Sequence, residues 1–339
     1  MLKLCLLGIT LVCLSTCNSQ EPMDTKETRF LLGTIVEFTV FHSNEDLALR
    51  AIGEAAQEMQ AVEKMFTIHG DITNSVQAFN LANINQKILL DLDVEQLLLQ
   101  SIALHRQTEG AFDPTLGDLN QKWGFSGEHK PTQPLDLDTV RDALEKSGVA
   151  FIKGDENHVW LKKKEGLKLD FGAIAKGLAI DRGIASLERE GIKHAIINAG
   201  GDMRILGDHG GKPWKVGIRH PRLAKPLGWF PVSDDISIVT SGDYERYFMH
   251  EGARYHHIID PSTGLPSSKS MSVTVIAPSA TVADALSTAM FILGYKKGLS
   301  LIENFEGVEA LWVDAKQQVH LSSGMHYWLN KDSIMSLKQ

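Results

Sequence analysis

An aspartate and a threonine one helical turn apart are the sharpest chemical feature of this sequence. Asp284 and Thr288 belong to SATVADALSTAMFILG, residues 279–294, whose pattern predicts a helix over about 280–293 that ends at Gly294. Their spacing of four residues places a carboxylate and a hydroxyl on one helical face. Such oxygen ligands suit Mg²⁺, which retains water molecules that a phosphate can replace. An ordinary side-chain contact near a helix start is the competing interpretation, and it is the commoner use of this spacing.

A small-residue turn followed by a lysine offers a second place for an anion. LDFGAIAKGLAID, residues 169–181, contains Asp170 and opens a predicted helix over about 173–190 that ends at Gly191. Backbone amides at a helix start favour anions, and the small residues Gly172 and Ala173 would let a ligand approach the main chain. Lys176 would then meet a phosphate. The alternative is a Gly/Ala-rich helix packed on a sheet with Lys176 in solvent.

Two polar segments of the second half of the chain are further candidates. In RYHHIIDPSTG, residues 254–264, strand alternation sends His256 and His257 to opposite faces, so one is expected to act as a base or phosphate ligand and the other to be structural. In TSGDYERYF, residues 240–248, Thr240 and Ser241 supply hydroxyls beside a glycine turn. That density of small polar groups fits a phosphate or ribose cradle, although an ordinary strand end would look similar.

The elements that position these residues follow an α+β plan. Residues 33–41 alternate as a strand, and Ser43 and Asn44 offer caps for the helix that follows. Further helices are predicted at about 93–108 and 138–147, and residues 110–134 are predicted to form a long ordered loop. Six short strands are predicted in the second half, at 195–201, 203–207, 214–219, 236–242, 255–260 and 272–278. Their short connections favour antiparallel pairing, because a parallel crossover needs a dozen or more residues.

Composition narrows the class of protein. The chain has 339 residues, of which 43% are hydrophobic, so it can bury a large core as one elaborated domain or as two packed lobes. Its formal net charge is −8 and it has no extended Lys/Arg run, which argues against a nucleic-acid partner. A phosphate-bearing ligand must therefore be held by a local site.

The first residues are typical of an export signal. Lys3 precedes an apolar stretch from Leu4 to Leu14, which is too short to span a bilayer and predicts a signal peptide over residues 1–16. Residues 14–17, LSTC, resemble a bacterial lipobox, so we expect Cys17 to carry a lipid anchor and residues 17–28 to form a tether. This places the protein at the bacterial cell envelope, membrane-anchored and facing the periplasm or exterior. Plain secretion and an uncleaved anchor are the alternatives.

The location of the cysteines limits the chemistry of the mature chain. All three cysteines lie at or before Cys17, so lipidation of that residue would leave no free thiol. A disulfide framework, a redox pair and a cysteine nucleophile are then excluded. A zinc cluster is also disfavoured, because the histidines are scattered along the chain.

Taken together, eight segments resemble the ApbE family, the FAD:protein FMN transferases, over about residues 31–312. In the family's order they are GT at 33–34, AFDPTLGDLNQKWGF at 111–125, LDFGAIAKGLAID, NAGGD at 198–202, WKVGIRHP at 214–221, TSGDYERYF, HIIDPSTGLP at 257–266 and VTVIAPSATVADALSTAMFILG at 273–294. The resemblance implies one T-fold-like domain over residues 29–339, with mixed, largely antiparallel sheets and packed helices.

The resemblance also implies the site residues and the reaction. A magnesium ion would bind Asp284, Thr288 and the backbone of Ala173, while His257 and Lys176 would act in catalysis. FAD would contact Leu32 (where the family usually has Met), Ala111, Phe112, Asp113, Asp170, Lys176, Ser241, Gly242, His257 and Ile258. The expected reaction joins FMN to a threonine or serine of a flavin-acceptor protein and releases AMP. Competing functions are an FAD pyrophosphatase, a flavin-binding lipoprotein without turnover, and an envelope scaffold that binds no flavin.

Overall fold

A computed structural model describes residues 21–71, 74–125 and 131–329. The predicted leader and Cys17 therefore lie outside the described residues. Within them the strands are β1 (Met23–Leu31), β2 (Thr34–His42), β3 (Ile88–Leu89), β4 (Ile152–Gly154), β5 (Val159–Lys162), β6 (Ala195–Ala199), β7 (Asp202–Leu206), β8 (Trp214–Arg219), β9 (Pro226–Val232), β10 (Ile236–Gly242), β11 (Tyr247–His250), β12 (Ala253–His256), β13 (Ser270–Ala277), β14 (Glu309–Asp314) and β15 (Val319–Leu321). The helices are α1 (Glu45–Phe66), α2 (Ser75–Leu81), α3 (Leu92–Gln107), α4 (Gly117–Trp123), α5 (Leu137–Glu145), α6 (Ala175–Arg189), α7 (Ala280–Ile302) and α8 (Met325–Trp328).

An eight-stranded sheet is the centre of the fold. Its strands run in the order β1-β2-β6-β7-β10-β13-β14-β15, and every neighbouring pair is antiparallel. The predicted α+β class and antiparallel pairing are therefore confirmed. The β1–β2 hairpin forms one edge of the sheet. Its two turn residues, Leu32 and Gly33, both have positive φ, as a type I′ turn requires.

Helices α1, α6 and α7 cover one face of this sheet. Asn44 caps α1 by accepting a hydrogen bond from the Leu47 amide at 3.0 Å, and the buried face of the helix includes Ile52, Met59 and Phe66. These side chains join a large core with the inward residues of β2, β6 and β13. The apolar period of α1 and its cap were both readable in the sequence.

A β8–β9 hairpin covers the opposite face at one end of the sheet. Trp214 and Val216 of β8 and Phe230 of β9 pack with Ile276 and Leu311 of the sheet in a second core. Strand β13 is consequently buried on both faces, which explains why residues 272–278 are almost continuously apolar. A third, smaller cluster lies around α4, α5 and β11.

Several predicted boundaries were wrong. Residues 23–28, predicted as tether, belong to β1, a polar edge strand that reaches the sheet only through β2. The predicted loop at 110–134 contains α4, because Leu119 and Trp123 pack into the third cluster. Strand β12 ends at His256, well before residue 260. Helix α7 is interrupted at Gly294, where φ is 71°, and then continues to Ile302.

No helix within the described ranges is long and apolar enough to be a candidate membrane span.

Candidate active site

Close packing of α6 against α7 brings the predicted lysine and aspartate together. A Cβ added at Gly177 would lie 2.2 Å from the carbonyl oxygen of Ala280, so only glycine permits this approach. The Gly177 amide donates to Asp284 Oδ2 at 2.9 Å. Lys176, the preceding residue, interacts electrostatically with the same carboxylate. The two sequence motifs thus form one site at the crossing of the helices.

A single carboxylate fixes the start of α7 against α6. Asp181 of α6 accepts hydrogen bonds from the amides of Ala280 and Thr281, both at 2.9 Å, and from the hydroxyls of Ser279 and Thr281. Arg204 of β7 forms an ion pair with the same carboxylate. Because the same helix carries Asp284 and Thr288, Asp181 sets the position of both.

Lys176 is held by a carboxylate from the central sheet. It forms an ion pair with Asp202, the first residue of β7, whose other oxygen accepts from the Thr240 amide at 2.9 Å. Burial opposes the charge on Lys176, but Asp202 and Asp284 more than offset this effect, so the pKa of the lysine is raised. A fixed, protonated cation therefore faces the site, where it can bind an anion.

Asp284 is a carboxylate in an unfavourable environment. It is 5% exposed, and burial raises its pKa to about 6, while Lys176 and the Gly177 amide act in the opposite direction. A buried carboxylate of this kind is stabilised by a cation. The group therefore fits the metal-ligand role that was predicted for it.

A hydroxyl group of β10 contacts the helix that carries this carboxylate. Ser241 Oγ lies 2.8 Å from Ser287 Oγ and 3.4 Å from Thr288 Oγ1, which joins the end of β10 to the predicted ligand face of α7. Gly242, the next residue, is buried and packs against the ring of Tyr244. The structure thus brings Ser241 and Gly242 to α7, the helix that carries Asp284 and Thr288.

His257 faces the same cluster of charges. Its pKa is held well below the ordinary value, chiefly by burial and then by the cations Arg246 and Lys176. Its Nδ1 atom is buried and has no hydrogen-bond partner among the described residues. The imidazole is therefore neutral at pH 7 and can accept a proton. His256 has the structural role, since its Nε2 lies 2.8 Å from the carbonyl oxygen of Ser267.

Asp170 and Ala173 flank the turn that leads into α6. Asp170 accepts from the Gly172 amide and from Asn120 Nδ2 of α4, both at 2.8 Å. Asn80 holds the preceding residue, Leu169, through two hydrogen bonds to its backbone. Asp170 is thus fixed by the turn before α6, by α4 and, through Leu169, by α2. Its negative charge partly offsets the lowering of the Arg246 pKa by burial.

The remaining predicted flavin contacts are Leu32, residues 111–113 and Ile258. They lie on loops between the helices and strands. The Asp170 amide donates to Pro114, which connects the 111–113 loop to the site, whereas the Asp113 carboxylate is engaged by Thr115. The side chains of Phe112 and Ile258 are buried in the main core. Leu32 lies in the hairpin turn, and the adjoining Thr34 packs against Gly200, two residues before Asp202.

Sequence reasoning missed three charged residues of this cluster. Asp202, Glu245 and Arg246 all interact electrostatically with groups at the α6–α7 crossing. Asp202 directly follows the two glycines of NAGGD and is a charged residue at the start of a buried strand, a signal that could have identified it. Glu245 and Arg246 belong to the segment TSGDYERYF, but only the folded structure places them near Lys176.

A divalent cation would find oxygen donors here. Within the three described ranges, no group of three or more His, Cys, Asp or Glu is arranged to hold a metal. A cation at Asp284 would therefore need hydroxyl, carbonyl or water oxygens to complete its shell. Thr288, on the same helix, and the carbonyl of Ala173, in the adjoining turn, are oxygen donors of the hard type that Mg²⁺ prefers.

Comparisons with known proteins agree with this geometry. The model of the ApbE family matches residues 32–312. A protein named FAD:protein FMN transferase from Treponema pallidum is 32% identical over 313 residues, covering 87% of this chain and 86% of that protein. One with the same name from Haemophilus influenzae is 31% identical over 281 residues, covering 78% of this chain and 81% of that protein.

Solved structures give the same result for the fold. The crystal structure of the ApbE protein from Thermotoga maritima has a TM-score of 0.83 and 33% identity, and the match covers 91% of this chain and all (100%) of that chain. The flavin transferase ApbE from Vibrio cholerae has a TM-score of 0.79 and 25% identity, with the same coverage of both chains.

Proposed function

Because the chain belongs to the ApbE family, we propose that it is a magnesium-dependent enzyme that transfers the FMN half of FAD to a threonine or serine of another protein. The observation that carries this proposal is the α6–α7 crossing. There, a buried carboxylate, a fixed lysine and several hydroxyls meet a neutral histidine. Cations to bind a pyrophosphate and a base to accept a proton are both present.

The reaction is a displacement at phosphorus. The acceptor's hydroxyl oxygen forms a bond to the FMN phosphorus, the bond from that phosphorus to the bridging oxygen breaks, and AMP leaves with the electron pair. When bound, Mg²⁺ would neutralise the negative charge that accumulates on the pyrophosphate. Lys176 and Arg246 add positive charge beside that pyrophosphate. Asp202 keeps Lys176 in position.

His257 is the proposed acceptor of the hydroxyl proton, or the group that orients that hydroxyl. Its low pKa keeps it unprotonated at neutral pH. The negative charge of a bound pyrophosphate would raise that pKa and make the imidazole a better base. Asp284, Thr288 and Ala173 would hold the metal. Leu32, the 111–113 loop, Asp170, Ser241, Gly242 and Ile258 would surround FAD.

The activity is tested by incubating the chain with FAD, Mg²⁺ and a flavin-acceptor domain while following both acceptor mass and AMP. Transfer predicts one FMN added to the acceptor for each AMP released. AMP and free FMN without acceptor labelling would make the protein an FAD pyrophosphatase. FAD binding without AMP under any metal condition would make it a carrier, and no flavin binding would leave only a scaffold role.

We also propose that the enzyme works at the cell envelope, anchored by a lipid on Cys17. This proposal rests on the sequence of residues 1–17, with Lys3, an apolar stretch and LSTC. The signal peptide, the remaining tether and the extent of the mature domain belong to the same proposal.

A further inference from the structure

A basic groove lies beside the α6–α7 crossing. It is a cavity of about 660 Å³ between the β8–β9 hairpin and the β11–β12 hairpin. Four cationic side chains line it, those of Arg219, Arg222, Lys225 and Arg254, and no aspartate or glutamate is among its lining residues. We refer to this surface as the basic groove. Its charge contrasts with the formal net charge of −8 for the chain.

Aromatic rings and one carboxylate hold the cations in place. The guanidinium of Arg219 lies 4.6 Å from the Tyr244 ring centroid, and that of Arg254 lies 4.2 Å from the Tyr247 centroid. Arg222 makes a bidentate pair with Asp243 at 2.7 and 2.6 Å. These contacts fix the orientation of long side chains, so less entropy is lost when a ligand binds them.

Positive charge remains after these pairings. Asp243 and Glu245 are the carboxylates that pair with the groove's arginines. Arg219 and Glu245 are 3.5 Å apart, with side chains that are 67% and 43% exposed, so solvent weakens that pair. Lys225 is exposed, and in the part of the chain that the structure describes no carboxylate lies within ion-pairing distance of it. The groove is therefore complementary to carboxylates.

The groove is continuous with the candidate active site. Tyr244, which lines it, packs against Gly242, the residue after Ser241. Glu245 interacts with both Arg219 of the groove and Lys176 of the site. The backbone carbonyl of Arg246 accepts a hydrogen bond from the His257 amide at 3.1 Å. A chain segment lying in the groove would thus have its neighbouring residues next to His257.

We infer that the basic groove docks the flavin-acceptor protein through carboxylates that flank its target hydroxyl. This inference rests on the proposed function, because a transferase must hold a protein segment with one hydroxyl at the site. Charge complementarity favours an acidic segment over a neutral one, both in encounter rate and in register.

The test uses two peptides and three variants. One peptide has a central threonine flanked by aspartates, and its partner has asparagines at those positions. Both are labelled with a fluorophore, and binding to the chain is measured by anisotropy with FAD and Mg²⁺ present. The variants are Arg219→Glu and Lys225→Glu in the groove, and Lys153→Glu, an exposed lysine of β4, as the control with the same charge change.

The aspartate peptide is expected to bind at least about tenfold tighter than the asparagine peptide, with a preference that falls as salt rises. Arg219→Glu and Lys225→Glu should remove the preference, while Lys153→Glu retains it. FAD affinity, measured by flavin fluorescence, should stay unchanged in all three. Equal binding of the two peptides, or equal effects of Lys225→Glu and Lys153→Glu, would overturn the inference.

Two other occupants give distinct results that would also overturn it. A tenfold loss of FAD affinity in Arg219→Glu without a change in peptide preference would assign the groove to the dinucleotide. Binding to anionic vesicles that is lost in Lys225→Glu, without peptide discrimination, would assign it to a membrane. Failure of the proposed function is separable, because it appears as absence of AMP release and FMN transfer in the unmodified chain, whichever peptide binds.

Discussion

At the scale of single residues, the site combines ionisable groups whose charged forms are disfavoured by burial. Asp284 is buried with a raised pKa, although Lys176 is close. His257 is unprotonated because burial and two cations oppose its charge. Such shifts are common where charge must be handled during a reaction. They lead to two predictions.

The Asp284→Asn substitution should remove metal binding without lowering the stability of the metal-free protein. The carboxylate's pKa of about 6 lies above its ordinary value, so the folded state loses stability as pH rises from about 4 to 6. That loss is on the order of 3 kcal/mol. In metal-free buffer at pH 7 the variant should therefore melt at or above the temperature of the unmodified chain. Mg²⁺ should stabilise only the unmodified chain, and FMN transfer by the variant should fall by about 10³-fold.

Two results would contradict the role proposed for Asp284. Equal stabilisation of Asp284→Asn and the unmodified chain by Mg²⁺ in a thermal melt would remove this carboxylate from the metal site. Full transfer by Asp284→Ala in EDTA-treated buffer would remove it from catalysis as well.

His257→Ala should leave a folded protein that binds FAD. Because the imidazole is proposed to accept or orient a proton only during transfer, kcat should fall by about 10²- to 10⁴-fold while the dissociation constant for FAD changes little. The measurement is stopped-flow transfer combined with a fluorescence titration of FAD. His256→Ala is the comparison, and it should mainly lower stability, since that ring packs on Phe291 and bonds to Ser267. Unchanged turnover in His257→Ala would exclude a role in the reaction.

At the scale of elements, the site depends on how closely α6 approaches α7. Gly177 permits that approach, and Asp181 fixes its register by capping the first turn of α7. Neither residue needs to contact a substrate. Both position the residues that would.

Gly177→Ala should therefore damage stability and metal binding together. The added methyl group would meet the backbone of Ala280, which cannot rotate away, and overpacking of this kind costs about 1–3 kcal/mol. Urea unfolding should show that loss, and the Mg²⁺ affinity should fall because Asp284 shifts. Gly53→Ala in α1 is the matched control, since its Cβ would meet no atom within 4 Å. That control should raise stability by about 1 kcal/mol. Similar effects of the two substitutions would contradict this account.

At the scale of the whole molecule, the described residues form a large antiparallel sheet with helices on one face and a hairpin on the other. The candidate site lies where the helix layer meets the ends of β7 and β10. The basic groove lies between the two hairpins next to it. This arrangement leaves the proposed nucleotide site and the proposed acceptor site adjacent, and residues 240–248 contribute to both.

The proposed anchor is tested by Cys17→Ser in the full chain. If Cys17 carries lipid, the unmodified protein should fractionate with membranes, and the variant should lose the lipid and be released as a soluble form once its leader is removed. Purified variant should retain transfer activity, because the catalytic candidates lie far along the chain from residue 17. Identical membrane association of both forms would show that something other than this cysteine holds the protein there.

The amino-acid sequence alone determined the local elements and the chemical types at the site. The apolar period and Asn44 cap of α1, the strand patterns of β6, β8, β10 and β13, and the Asp284–Thr288 spacing depend on neighbours in the chain, so they could be predicted. The tertiary structure decided what no local pattern contains. It brought Asp202 and Arg246 near Lys176, made a helix of residues 117–123, and placed Arg254 beside Arg219, Arg222 and Lys225 in one groove. Those outcomes arise from contacts between residues distant in sequence, whose energies appear only once the chain is packed.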